Sequence, residues 1–240
     1  MVAISRREPR HAERCTVSYR KRTGGDRGCD GSPRQEMNGI PRTVVLLIRH
    51  AHTDAVGEWL AGRGSDVPLS QAGRAQSDRL RARLAATDFA AVYSSPLQRA
   101  IETAVPLARE RGLRVEPHID LLEIDFGDWT GERFDALDKD PRWARFNRQR
   151  SMALIPNGER AIDAQARIVR ALDDARARHP NATVAFVTHS DIIRLAVLHI
   201  AGAPIDFIHR FDIAPASVTA VALEHESATL LYINERDSRG

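Results

Sequence analysis

Cysteine is nearly absent from this 240-residue chain: there are two, Cys15 and Cys29, both within the first thirty positions. Their scarcity excludes a disulfide framework and a cysteine-built zinc site in the rest of the chain. Long hydrophobic runs are missing too. No window approaches the roughly 18 uninterrupted apolar residues of a membrane-spanning helix, so no membrane partner is expected. The N-terminus, MVAISRREPRHAERC, lacks an apolar stretch after its basic residues. It therefore does not resemble a secretory signal, and a cytoplasmic location is the expectation. The body contains no internal repeat, no low-complexity tract and no acidic cluster with metal-ligand spacing; no metal and no cofactor are expected.

The net charge of +3 invites a nucleic-acid reading until it is located. Residues 1–42 carry ten Lys or Arg against five Asp or Glu, whereas the remainder carries 25 basic and 27 acidic residues. The basicity belongs to a leader rich in Arg, Gly, Asp and Ser, so the body is expected to bind no nucleic acid. Residues 1–41 read as a disordered extension, either a solvated tail or a segment ahead of the natural start. Residues 42–240 have enough apolar content for one domain.

Two apolar runs dominate that body, and each ends in histidine: TVVLLIRH at 43–50 and TVAFVTH at 183–189. Unbroken runs of this kind predict strands buried on both faces of a parallel sheet. Ligands of open α/β sheets bind just beyond the carboxyl ends of such strands. Between the runs, Ser70 predicts a helix N-cap, and 89–93 and 113–116 predict short strands. Ser95, Pro96 and Gln98 read as N-cap, first helical position and capping box of a helix reaching Arg111, with Pro106 expected to kink or shorten it. Short helices are predicted within 132–149, an amphipathic helix over 161–178, a helix over 191–201, and a final strand pair over 217–224 and 228–234. The alternation predicts a three-layer α/β/α sandwich with a mostly parallel central sheet. The final strand pair offers an edge for a homodimer, and the sequence leaves oligomeric state open.

Five side chains fall just past predicted strands: Arg49 and His50, Arg99, Glu123, and His189. Two arginines, two histidines and a carboxylate suit a phosphate site, because guanidinium grips phosphate oxygens bidentately and keeps its charge. Arg99 also stands in the first turn of a helix, where an anion is favoured. Asp125 is the rival to Glu123 as the acid. Arg63, in the loop 57–66, is a candidate contact for a second anionic group on the substrate. Trp129 and Phe126 read as core. The run Arg142, Arg145, Arg148 and Arg150, interleaved with Trp143 and Phe146, reads as a solvated helix face or, alternatively, a cap over an anionic substrate. His118, His179, His199, His209 and His225 read as surface or core residues.

The blocks RHAHT (49–53), DVPLSQAG (66–73), SSPLQRAIETA (94–104), LLEIDFGDWTG (121–131) and VTHSDIIR (187–194) resemble, in order, the signatures of the histidine phosphatase superfamily, the phosphoglycerate-mutase-like proteins. The resemblance implies a phosphoric monoester hydrolase of the histidine acid phosphatase type, acting on a small phosphorylated substrate. It implies that His50 is the nucleophile that becomes phosphohistidine. Arg49 and Arg99 would grip the phosphoryl group, His189 would bind its oxygens, Glu123 would protonate the leaving oxygen, and Thr53 would assist the pocket. Two positions depart from the pattern: Ala51 stands where glycine is usual, and His52 where Glu, Gln or Asp is usual, with a substrate-side role as one reading. A 2,3-bisphosphoglycerate-dependent mutase is the alternative, although the family's mutases carry a longer insertion between the acid and the second histidine. A catalytically silent phosphate-binding module is the third reading, and the intact constellation argues against it.

Overall fold

The structure, a computed structural model, describes residues 41–64 and 66–236. The expected disordered extension, apart from its last residue, and both cysteines lie outside the described residues. A six-stranded sheet forms the centre, built from β1 (Thr43–Arg49), β2 (Ala91–Ser94), β3 (Val115–Pro117), β4 (Thr183–Thr188), β5 (Val218–Leu223) and β6 (Ala228–Glu235). Their order is β3-β2-β4-β1-β5-β6. The first four are parallel, and β5 and β6 add an antiparallel hairpin on the β1 side.

The side chains of β1 explain the layering. Alternate residues of a strand point to opposite faces. Val45 and Leu47 join one core with residues of α5 (Ala161–Arg178) and α6 (Ser190–Ile200), among them Ile168 and Ile192. Leu46 and Ile48 join a second core with residues of α1 (Gln71–Arg83) and α2 (Gln98–Arg109), including Leu80 and Leu107. Both faces of the sheet are covered, which is why β1 and β4 carry no polar alternation.

Local chemistry sets most boundaries. Ser70 caps α1, its side chain accepting from Gly73 N. Gly73 is required there, because a Cβ would sit 1.9 Å from the His52 carbonyl oxygen. Pro117 is tolerated because β3 is an edge strand. Pro106 lies inside α2, which continues three residues beyond it to Arg109. The expected capping box at 95–98 does not form. The N-cap of α2 is Leu97 without a side-chain bond, and Ser95 is engaged elsewhere.

Two short helices, α3 (Phe134–Leu137) and α4 (Pro141–Arg148), fill the predicted 132–149 interval. Trp143 and Phe146 of α4 are buried against Trp129 and Phe126. The basic run divides: Arg142, Arg145 and Arg148 are exposed, whereas Arg150 is buried and bonds Asp191. Arg150 thus corrects the reading of the whole run as a solvated face. No helix among the described residues is long and apolar enough to cross a membrane.

Candidate active site

The parallel register brings three strand ends side by side. Arg49 pairs with Thr188 and Ser94 with Val187, so His50, Ser95 and His189 emerge together at one edge of the sheet. His50 N donates to Thr188 O at 2.9 Å and Ser95 N to Val187 O at 2.8 Å, extending the ladder by one rung. The Thr188 hydroxyl donates to Leu121 O, tying down the turn that precedes Glu123.

His50 is buried, and its Nδ1 lies 2.8 Å from the Ala51 carbonyl oxygen. A carbonyl only accepts, so Nδ1 carries the hydrogen and Nε2 keeps its lone pair. Burial, reinforced by the charges of Arg99 and Arg49, holds the imidazole well below its ordinary pKa. Ala51 has no positive φ, so the glycine usual at that position is not needed here. Its N–H donates to Thr103 Oγ1, which in turn donates to Arg99 O.

His189, fully buried, lies with its ring centroid 5.3 Å from that of His50. Its Nε2 is 2.8 Å from Ser95 Oγ, and its Nδ1 has no hydrogen-bond partner among the described residues. Burial and the Arg99 charge depress its pKa strongly as well.

The arginines are held by backbone carbonyls. Arg49 Nη1 donates to Ile213 O at 2.6 Å, and its buried Nε has no partner among the described residues. Arg99, buried in the first turn of α2, donates through Nη2 to Gly62 O and through Nη1 to Gly64 O. Carbonyls fix the forks without neutralising them, so the cationic field stays available to an anion.

Glu123 enters from the loop after β3, its Oε1 accepting from Ile124 N. Burial and the nearby Asp191 carboxylate push its pKa up to about 7. Asp125 is committed elsewhere: it pairs with Arg63 and accepts from Gly127 N. Arg63 donates to Glu123 O, Asp125 and Glu159. The structure therefore places Arg63 in the support of the Glu123 loop and not among the cavity's lining residues. His52 Nδ1 bonds Ser70 Oγ at the start of α1, also away from that lining.

Arg49, His50, Thr53, Arg99 and Glu123 line one cavity of about 130 Å³. Its remaining wall is largely apolar, with Trp59, Leu60, Phe126 and Phe134. Among the described residues, no group of three His, Cys, Asp or Glu side chains is disposed to hold a metal ion.

Two polar residues of this centre were missed by sequence reasoning. Ser95, read as a helix cap, is the partner of His189; its position one residue beyond β2 was the available signal. Asp191, two residues after His189, is clamped by Arg150 at 2.5 Å and Arg194 at 3.3 Å. Burial raises its pKa, but these cations outweigh that and leave it at about 2. Nothing in the sequence marked Arg150 as its partner, 41 positions away.

The α/β sandwich thus gathers two histidines, two arginines and a glutamate at the carboxyl ends of its parallel strands. The family model described as histidine phosphatase superfamily (branch 1) matches residues 45–236, and the chain belongs to that superfamily. It is 34% identical over 194 residues to the bifunctional protein Rv2228c of Mycobacterium tuberculosis, covering 80% of this chain but only 53% of that protein. The chain thus spans about half the length of that relative. Phosphoserine phosphatase 1 of Hydrogenobacter thermophilus is 27% identical over 79% of this chain and 91% of its own. The solved structure of YhfR from Bacillus stearothermophilus superposes with a TM-score of 0.77 at 28% identity, covering 81% of this chain and 98% of that one. Phosphatases thus stand among its relatives.

Proposed function

We propose that this protein is a metal-independent phosphomonoesterase of the histidine acid phosphatase type that acts on a small phosphorylated metabolite through a phosphohistidine at His50. One observation carries the reading: His50 directs its Nδ1–H to Ala51 O, leaving Nε2 unprotonated in a cavity shared with Arg49, Arg99 and Glu123.

In the first step His50 Nε2 attacks phosphorus, the bond to the leaving oxygen breaks, and Glu123 donates its proton to that oxygen. In the second, water attacks phosphorus, its proton passes to Glu123, and the nitrogen–phosphorus bond breaks to release inorganic phosphate and neutral His50. Charge developing on the equatorial oxygens meets Arg49 and Arg99. Arg49 Nε and, with Ser95 Oγ donating to Nε2, His189 Nδ1–H are the unpartnered groups a phosphoryl group would satisfy. A pKa near 7 suits an acid that must give a proton and later take one back.

Hydrolysis of p-nitrophenyl phosphate in excess EDTA tests the reading. Activity is expected, with its loss in His50→Ala; activity retained in that variant would remove the nucleophile assignment.

A further inference from the structure

The apolar wall of the cavity has its own chemistry. Val56, Trp59, Leu60 and Phe134 line it as half-buried side chains, and Phe126 closes it from the core side. Arg49 and Arg99 are the only cations among the described lining residues, and the phosphoryl group takes both.

The nearby cations are engaged. Arg63 spends Nε, Nη1 and Nη2 on Glu123 O, Asp125 and Glu159. Turning it toward a ligand would give up all three bonds, including the one to Glu123 O that supports the loop carrying Glu123. Arg133, beside Phe134 and bridged to Trp59, is exposed and lies between Glu58 and Asp135, so the rim there carries two carboxylates against one cation. A carboxylate on the leaving group would thus meet half-buried apolar side chains and a rim with more carboxylates than cations, which is unfavourable.

We propose, resting on the phosphomonoesterase reading, that this site selects a phosphomonoester whose leaving alcohol is apolar, carries a flat ring and bears no second anionic group. Phe134, Trp59 and Leu60 are its specificity-determining residues. The ring packs between Phe134 and Trp59, and the phosphate supplies the only charge. Selection of this kind is moderate, because an apolar wall discriminates by tens of fold, whereas rejection of an unpaired charge is larger.

The test compares 2-phenylethyl phosphate with O-phosphoserine on the full chain. Both are primary alkyl esters, so an activated leaving group does not decide the result. The expected kcat/KM for 2-phenylethyl phosphate is at least about 10-fold higher, carried mainly by KM. Phe134→Ala lowers that value by about 10-fold and lowers turnover of O-phosphoserine by a clearly smaller factor. Phe134→Leu, which keeps the packing against the core, gives the same ranking at smaller size and serves if the alanine variant does not fold. Preference for O-phosphoserine, or equal losses on both substrates, would overturn the proposal while leaving the hydrolase reading intact. No turnover of either ester, with no phosphoenzyme, would overturn the hydrolase reading itself.

Discussion

His50 and His189 face each other with ring centroids 5.3 Å apart and planes tilted by 58°, and they are tied down by opposite nitrogens. His50 is held through Nδ1 by Ala51 O, and His189 through Nε2 by Ser95 Oγ. The remaining nitrogens are thus Nε2 on one ring and Nδ1 on the other. Burial, with the charges of Arg99 and Arg49, disfavours the protonated form of both imidazoles and so leaves a lone pair on His50 Nε2.

Neutral buried histidines make folding stability depend on pH. Their folded pKa values lie well below 6.5, so the unfolded chain binds more protons between those values and about 6.5. The histidines' contribution is fully present above that window and is lost as pH drops through it, whereas Glu123, raised from 4.5 to about 7, works in the opposite sense. Urea titrations of Glu123→Gln at pH 7.5 and 5.5 should isolate the histidine loss, and adding His189→Gln should reduce the pH slope.

Glu123 must be protonated in the first step, and its pKa stands at about 7. The pH profile of kcat/KM should therefore fall as pH rises past about 7. Glu123→Gln should lower turnover of alkyl phosphates by about 10²–10⁴-fold and of p-nitrophenyl phosphate by less, since that leaving group needs little proton assistance. A profile flat to pH 9 would remove Glu123 as the acid.

Asp191 holds that pKa up with its charge. Asp191→Asn should shift the descending limb to lower pH. Arg150→Met should instead cost about 3 kcal/mol of stability, the lower end of the range for a broken buried pair, because Arg194 still faces Asp191. Chemical denaturation measures the second effect and rate–pH profiles the first.

Ser95→Ala frees the His189 ring. A loss of about 10- to 100-fold in kcat is expected with KM nearly unchanged, the signature of a misplaced group acting in the transition state. Restored activity in Ser95→Thr, which keeps the hydroxyl, would separate positioning from a packing defect.

Much of this was legible in the sequence because two physical signals are local. The unbroken apolar runs of β1 and β4 announced a doubly covered sheet, and helix α5 was read at its observed limits, 161–178, from its periodicity. What was not legible depended on contacts between distant segments. Ser95 has the chemistry of a helix cap, yet the ring of His189, 94 positions away, claims its hydroxyl. Arg63 has the chemistry of a substrate contact, yet Asp125 and Glu159 claim its guanidinium. In both cases the residue type was informative and its partner was not.

Rapid acid-free quench with ³²P-labelled substrate detects the proposed covalent bond between phosphorus and His50 Nε2. The protein is expected to carry a label that is lost in acid, survives base, and is absent from His50→Ala. Turnover by wild-type protein with no labelled intermediate at any quench time, or with label retained in His50→Ala, would contradict it.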